Sequence, residues 1–352
     1  MLDKLNRKID YLRISVIDRC NLRCVYCMPE EGIESIPHDE ILTYDEILRI
    51  CEIVSELGIR KIKITGGEPL VRKDIVNLIR DIKNIDKIEQ VTLTTNGILL
   101  HEMLDDLYDA GIDAINISLD TLNKDNFKKI TRRDGLEKVL MSIDKAYDLG
   151  IRVKINCLAI RDFNLSELVE IASFAKDREI DVRFIELMPI GFGKKYNQID
   201  NDEILSILES RFGTFEIVTE KRGNGPAKYY RNQNMKGCIG FISAISHEFC
   251  ESCNRIRLTS SGFLKLCLHY NKGIDLKGPI RNGISDEDLK KLIHDTIWNK
   301  PISHKFWEFH PRQVLCRLLS LPATALRWKT LSRSDCDWTG VSLSLLPVLA
   351  VP

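Results

Sequence analysis

The sequence predicts an α/β protein whose first two thirds form a parallel sheet with helices outside it, followed by a smaller α+β region. Three observations predict this. Short β-branched runs recur six times at spacings of about 25 to 50 residues, each gap long enough for a crossover helix. Amphipathic patterns with legible caps fill the gaps. After about residue 190 the pattern changes to short strands separated by turns.

Taken in order, the six strand candidates are Tyr11–Ile17, Lys61–Thr65, Gln90–Thr94, Ala114–Leu119, Arg152–Ala159 and Val182–Glu186. Thr43 stands three positions before Glu46, a capping box, and Ile47, Ile50 and Val54 supply the apolar face of the helix that follows. Asp74 opens a helix carrying Val76, Ile79 and Ile82. Gly135 leads into Leu136–Leu149, closed by Gly150. Asn164 and Ser166 are candidate caps for Leu168–Ala175. Further on, Asn201–Phe212 reads as a helix. Phe215–Thr219, Lys228–Arg231, Gly240–Ile245, Arg255–Thr259 and Phe263–Cys267 read as strands, and Asp286–Trp298 as the last helix. Six βα units fit a doubly wound sheet or a barrel, complete or partial, and periodicity alone does not choose.

Composition limits the function. The chain has 352 residues, 44% hydrophobic and 29% charged, with 51 basic and 51 acidic side chains. This balance argues against a general nucleic-acid or membrane-surface binder, which needs a basic excess. The charged start has no secretory signal, and the apolar stretch Val341–Pro352 is too short to span a bilayer. A cytoplasmic protein is expected, where thiols stay reduced. Its eleven cysteines therefore call for a metal or catalytic explanation.

Composition also breaks near residue 309. All four tryptophans lie at Trp298 or later, and Phe309–Pro352 contains no isoleucine, no glutamate and one lysine, Lys329. Translation in another frame, or a fusion, explains this better than a small appended domain. The expected organisation is residues 1–190, residues 191–304, and an anomalous tail at 305–352.

The polar motifs cluster at strand ends. Cys20, Cys24 and Cys27 follow the first strand, Thr65-Gly66-Gly67-Glu68-Pro69 the second, and Thr94-Thr95-Asn96-Gly97 the third. Ser118 and Asp120 end the fourth, Asn156 lies within the fifth, and Glu186 and Met188 end the sixth. Parallel α/β architectures bind ligands at the carboxyl edge of the sheet.

Two cysteine triplets carry the chemistry. Cys20-Asn-Leu-Arg-Cys24-Val-Tyr-Cys27 places three thiolates on one loop, fit for three corners of a cubane with one iron left open. Structural zinc would want a fourth ligand, and His38 is poorly spaced for it. Cys250-Glu-Ser-Cys253 with Cys267 forms a second triplet; either a three-cysteine cluster or zinc with His247 or His269 fits the spacing. Cys51 and Cys157 sit in apolar patterns as core filler, and Cys238, Cys316 and Cys336 have no partner spacing.

The first loop, with Tyr26 between its last two cysteines, resembles the radical S-adenosylmethionine superfamily. Gly66-Gly67-Glu68-Pro69 resembles that superfamily's motif for the methionine amino group. Asp18–Cys24, Thr131-Arg132-Arg133-Asp134-Gly135-Leu136, Phe184–Pro189 and Phe249–Thr259 are similar to the molybdenum cofactor biosynthesis protein A family, over about residues 5 to 304. The second triplet with Asn254-Arg255-Ile256-Arg257 is the most specific part of the match.

The resemblance implies a partial (β/α)6 TIM-like barrel closed by a smaller C-terminal α+β subdomain. It implies two [4Fe-4S] clusters, S-adenosyl-L-methionine as cofactor and GTP as substrate. Cleavage of S-adenosylmethionine at the Cys20/Cys24/Cys27 cluster would give a 5′-deoxyadenosyl radical that takes the ribose 3′ hydrogen. The ribose radical would then attack guanine C8, giving 3′,8-cyclo-7,8-dihydroguanosine triphosphate. Tyr26, Gly67, Ser118 and Met188 match the cofactor contacts. Arg13, Lys63, Thr94, Lys154, Arg255 and Arg257 match the nucleotide contacts, and Cys250, Cys253 and Cys267 match the second cluster. The cations make separate sense, because a neutral protein needs local positive charge to hold a triphosphate. Arg255 and Arg257 alternate on one strand and so can face one pocket.

The resemblance further implies a flavodoxin- or ferredoxin-type electron donor, the next enzyme of the cofactor pathway as a partner, a monomer or homodimer, and no nucleic-acid or membrane partner. Family members end in Gly-Gly, thought to reach the active site; this chain ends Leu349-Ala350-Val351-Pro352, so impaired cyclisation is expected. Two rivals remain at this point: a radical enzyme modifying a peptide or RNA, and a zinc-ribbon nucleic-acid adaptor.

Overall fold

The computed structural model describes residues 1–34, 36–188, 191–220, 222–243 and 249–303. The six repeated strands are β1 (Tyr11–Ser15), β2 (Lys61–Thr65), β3 (Gln90–Thr95), β4 (Ala114–Ser118), β5 (Arg152–Leu158) and β6 (Asp181–Ile185). They lie side by side in sequence order, all parallel. The later strands are β7 (Glu216–Val218), β8 (Lys228–Arg231), β9 (Ile239–Ile242), β10 (Arg255–Leu258), β11 (Phe263–Lys265) and β12 (Gly273–Asp275).

These later strands extend the same sheet at both flanks. β9 joins β6 and β10 joins β1, each in parallel, so eight parallel strands run β10-β1-β2-β3-β4-β5-β6-β9. Antiparallel β8 and β7 finish one edge, and β11 and β12 the other. One cavity is lined by residues of β1 through β6 together with Ile242 of β9 and Arg255 of β10. A flat sheet cannot present all of those strands to one space; the sheet curls into a partial barrel.

Strand alternation sets what fills it. Leu12, Ile14, Ile62, Ile64, Val91, Leu93, Ile115, Ile117, Val153, Ile155, Val182 and Phe184 are buried in the layer between sheet and helices. The intervening positions include Arg13, Lys63, Thr92, Asn116, Lys154 and Arg183, and these line the cavity. Period-two alternation therefore puts the apolar face outside, under the helices, and a polar face inside.

The helices are α1 (Tyr44–Glu56), α2 (Ile75–Lys83), α3 (Leu100–Asp109), α4 (Lys124–Thr131), α5 (Leu136–Asp148), α6 (Arg161–Asn164), α7 (Leu168–Ala172), α8 (Asn201–Phe212), α9 (Lys277–Arg281) and α10 (Asp286–Trp298). The Thr43/Glu46 capping box forms reciprocally at α1. Asp74 does precede α2, in the left-handed region at φ 58°, but its side chain caps nothing.

Neither Asn164 nor Ser166 caps a helix over Leu168–Ala175. That segment is the short α7 and a 3-10 turn, and α6 and another 3-10 turn precede it. The Asn164 amide is already committed, donating to the carbonyls of Asp120 (2.7 Å) and Leu158 (2.9 Å) and accepting from the Ile160 N–H (2.9 Å). The sequence reading also passed over α3, α4, α9 and β12. Among the described residues no helix is long and apolar enough to cross a membrane. The expectations for the tail from residue 305, for the end of Gly240–Ile245, and for His247, Cys316 and Cys336 lie outside the described residues.

Candidate active site

Because β1–β6 are parallel, their motifs share one edge, and the Cys20/Cys24/Cys27 loop is built there by contacts from several strand ends. Arg132, left-handed at φ 56° just after α4, donates to the carbonyls of Arg23 (2.9 Å) and Met28 (3.1 Å). The Arg23 and Val25 amides donate to Thr131 and Ile130, both at 2.9 Å. The Thr131-Arg132-Arg133 stretch is thus the backing of the cysteine loop.

The glycine motif supports it from the other side. Gly67 N–H donates to Ile17 O (2.7 Å) and Glu68 N–H to Arg19 O (2.8 Å). A Cβ on Gly67 would lie 2.2 Å from Arg19 O and 2.4 Å from Asp18 O, so only glycine fits. The Glu68 carboxylate accepts from Thr95 Oγ1 (2.7 Å), Asn96 N–H (2.7 Å) and Leu70 N–H (3.1 Å), joining the ends of β2 and β3. Burial pushes Glu68 up to about 7 against these donors. Asn96 donates to Asn21 Oδ1 (2.7 Å) and approaches Cys20 Sγ (3.8 Å). Tyr26 donates to Asp120 Oδ2 (2.6 Å), and the other oxygen of Asp120 accepts from Leu158 N–H (2.8 Å).

The three thiols suit an iron–sulfur centre. Burial raises all of them, Cys27 to about 12, with neighbouring thiols adding to the rise at Cys24 and Cys27. A positive metal centre supplies the charge that such buried thiolates lack. Among the described residues no three His, Cys, Asp or Glu side chains converge on a single-ion position. A cubane takes its thiolates at separate corners and needs no such convergence. His38 is exposed on a separate 3-10 turn.

The interior below this edge is a cationic chamber. Arg13, Lys63, Arg152, Lys154, Arg183 and Arg255 line it with Gln90, Thr92 and Asn116, and no Asp or Glu lines it among the described residues. Register sets their neighbours: Arg13 lies between Lys63 and Arg257, Asn116 between Thr94 and Lys154, and Arg183 beside Asn156. Burial pushes Arg13 down to about 10, with Arg255 and Arg183 adding to the fall. Burial also lowers Lys63 and Arg257, helped by Arg183 and Arg13 at Lys63 and by Arg13 and Arg255 at Arg257. Lys63 makes no ion pair, and Arg183 Nε and Nη2, both amide atoms of Asn156 and Thr65 Oγ1 have no hydrogen-bond partner, among the described residues. Buried polar groups left this way mark space for a polar, anionic ligand. Lys154 differs: it pairs with Asp181 at 3.0 Å and donates to Tyr229 Oη at 3.0 Å.

The second triplet lies at the opposite end. Cys250 and Cys253 precede β10, which runs parallel to β1, and Cys267 follows the antiparallel β11; all three therefore sit at the amino end of the barrel. Asn254 ties this loop to β1, donating to Asp10 Oδ1 (2.7 Å) and accepting at its carbonyl from Tyr11 N–H (3.3 Å). Arg7 donates to Cys250 O (3.0 Å), and Lys300 donates to Arg255 O (2.9 Å) and to Leu266 O. Burial raises the Cys253 thiol, but the charges of Arg255 and Lys300 outweigh it and hold it at about 7. Arg255 stacks over Phe249, 4.8 Å from the ring centre. His269 packs edge-to-face on Tyr270, with ring centres 4.6 Å apart.

Of the residues named from sequence, Arg13, Lys63, Thr94, Lys154 and Arg255 are buried on the inner face, with Arg257 half-buried beside them. Tyr26, Gly67, Ser118 and Met188 lie at the carboxyl edge, Ser118 ending β4 and Met188 shortly after β6. Sequence reasoning missed Arg183 and Asp181. Both alternate on β6, and the spacing argument used for Arg255 and Arg257 applies to them equally.

The Radical SAM superfamily profile matches residues 14–175 and the Molybdenum Cofactor Synthesis C profile matches residues 180–306. A GTP 3′,8-cyclase of Clostridium perfringens is 50% identical over 306 residues, covering 87% of this chain and 95% of that protein. One from Desulforamulus reducens is 50% identical over 323 residues, covering 90% and 99%. The crystal structure of Streptococcus suis SuiB bound to S-adenosylmethionine aligns with a TM-score of 0.60 at 14% identity, over 84% of this chain and 67% of that one, which shows the shared fold. The curled parallel sheet, with a three-cysteine loop after its first strand, defines a radical S-adenosylmethionine protein. Within that class, the identity across nearly the whole length of its relatives settles the family: this chain belongs to the GTP 3′,8-cyclases.

Proposed function

We propose that the chain converts GTP to 3′,8-cyclo-7,8-dihydroguanosine triphosphate, the entering step of molybdenum cofactor assembly, with the nucleotide held inside the barrel between its two cysteine triplets. The observation that carries this is the chamber itself. A buried, in-register belt of cations, with no acid lining it among the described residues, is unfavourable in an empty protein and matches a polyphosphate.

Cys20, Cys24 and Cys27 would hold one [4Fe-4S] cluster and Cys250, Cys253 and Cys267 the other. The first cluster with S-adenosylmethionine supplies a reductively generated, hydrogen-abstracting radical. The chain's own residues do the rest. Tyr26, Gly67, Ser118 and Met188 would position the cofactor at the carboxyl edge. Arg13, Lys63, Thr94, Lys154 and Arg257 would orient the nucleotide, and Arg183 joins them by its place in the belt. Arg255 reaches both the chamber and the second triplet, so it would fix the nucleotide against that end. The apolar layer beneath the helices keeps water from the sides of the barrel, which protects a reactive intermediate. Residues 1–190 would carry the first cluster and 191–304 the second. A flavodoxin- or ferredoxin-type reductant would donate the electron, and the next enzyme of the pathway would take the product.

Anaerobic reconstitution followed by incubation with S-adenosylmethionine, reductant and GTP tests the reading. Cyclised triphosphate should form alongside 5′-deoxyadenosine. Cleavage of S-adenosylmethionine while GTP persists untouched would remove it.

A further inference from the structure

An acid at the edge of an anion-binding chamber needs an explanation, and Asp181 is such an acid. It is buried at the start of β6, with Oδ2 3.0 Å from Lys154 Nζ. Its Oδ1 takes Arg222 Nη2 at 3.0 Å, Arg222 Nε at 3.2 Å and the Cys238 N–H at 3.2 Å. Arg222 lies on the connection between β7 and β8. That connection crosses the amino-end mouth of the barrel: Gly223, Asn224, Gly225 and Pro226 line the chamber, and the Asn224 amide bonds to Gln90 at the start of β3.

Charge makes the arrangement informative. Lys154 and Asp181 alone sum to zero and would offer a phosphate nothing; Arg222 restores one net positive charge to the group. The backbone at Gly223 is left-handed at φ 87°, and a Cβ there would stand 3.2 Å from Lys154 Nζ. None of the N–H groups of Gly223, Asn224 and Gly225 has a hydrogen-bond partner among the described residues. Successive unpaired amides beside a lysine are the elements of a phosphate cradle.

Resting on the nucleotide reading above, we infer that Arg222, acting through Asp181, positions Lys154 and the Gly223–Gly225 amides to receive the terminal phosphate, and so sets the preference for a triphosphate over shorter nucleotides. Arg222 is a positioning residue in this account. Its bidentate grip fixes the carboxylate, the carboxylate fixes Lys154, and both hold the glycine segment across the mouth.

The test is calorimetric binding of GTP, GDP and GMP to the iron-loaded protein and to its Arg222→Ala and Arg222→Lys variants. Arg222→Ala should weaken GTP about tenfold, the size expected for one charge-assisted contact, and leave GMP within about twofold. Arg222→Lys should recover part of the GTP affinity, since it keeps the charge and loses the fork. Equal weakening of all three nucleotides, or none, overturns the inference. If the unaltered protein binds no GTP, it is the nucleotide reading that fails. Iron content and melting temperature of each variant report whether it has folded.

Discussion

Arg13 on β1 and Arg257 on β10 are register partners on adjacent parallel strands, and Arg13 depresses the proton affinity of Arg257 across the pair. Lys63 is the partner of Arg13 on its other side. Three cations thus stand in one row across three strands. Nothing in the folding of a sheet requires this; same-face neighbours of like charge destabilise one another. The proposed function would account for it, with the row facing a bound nucleotide.

The two cysteine triplets lie at opposite ends of the barrel, so their metal contents should be separable. Reconstituted protein should hold about eight irons, four per cubane. Replacing Cys20, Cys24 and Cys27 by Ala should remove about half of the iron and all cleavage of S-adenosylmethionine. Replacing Cys250, Cys253 and Cys267 should remove the other half and stop GTP conversion. Iron analysis with activity assays checks both, and an unchanged iron content in the second variant refutes the two-cluster account.

Gly67→Ala should be among the most damaging single changes at the carboxyl edge. Its Cβ would overlap the Asp18 and Arg19 carbonyls, which are backbone and cannot rotate aside. The cost should exceed the roughly 1–3 kcal/mol typical of overpacking. Loss of first-cluster iron, with a lowered melting temperature, is the expected result. Gly150→Ala is the control: its added Cβ would meet nothing within 4 Å, so only its positive φ costs, about 1 kcal/mol.

Binding of GTP should take up protons through Lys63. Burial, and then the charges of Arg183, Arg13 and Lys154, hold the Lys63 ammonium well below its usual range. The empty folded chain therefore binds fewer protons than the unfolded one between the folded and unfolded values, and the stability that Lys63 costs at lower pH is relieved as pH rises through that window. A bound polyphosphate reverses the local field and restores the proton. Calorimetry in buffers of different ionisation enthalpy, at several pH values below the usual lysine range, should show net uptake of up to about one proton per GTP. Lys63→Met should reduce it, and equal uptake in both proteins would show that Lys63 is not the group.

The sheet was legible because each strand alternates: in Leu12-Arg13-Ile14, Ile62-Lys63-Ile64 and Val153-Lys154-Ile155 the apolar residue marks the helix-covered face and the cation the interior. Both cysteine triplets were legible from spacing. What was not legible depended on distant partners. The β9–β6 and β10–β1 pairings join segments far apart in sequence, so the sharing of one sheet by both regions left no local trace. Arg132 as the backing of the cysteine loop needed its carbonyl partners at Arg23 and Met28 to be understood. The glycine motif was legible as a resemblance, but its steric role was not: Gly66 and Gly67 make room for the backbone of residues 17–19. Asn164 misled because its short polar side chain suits a cap as well as it suits the interior network it serves.

The central claim is that the interior cations bind the nucleotide and do not hold the fold together. The dissociation constant of GTP for iron-loaded Arg257→Ala tests it most directly. The account predicts weakening of about tenfold to a hundredfold, the worth of one charge-assisted contact at roughly 1.5–3 kcal/mol, with iron content unchanged and the nucleotide-free protein at least as stable as before. An unchanged dissociation constant, or a variant that loses its fold before GTP is added, would contradict it.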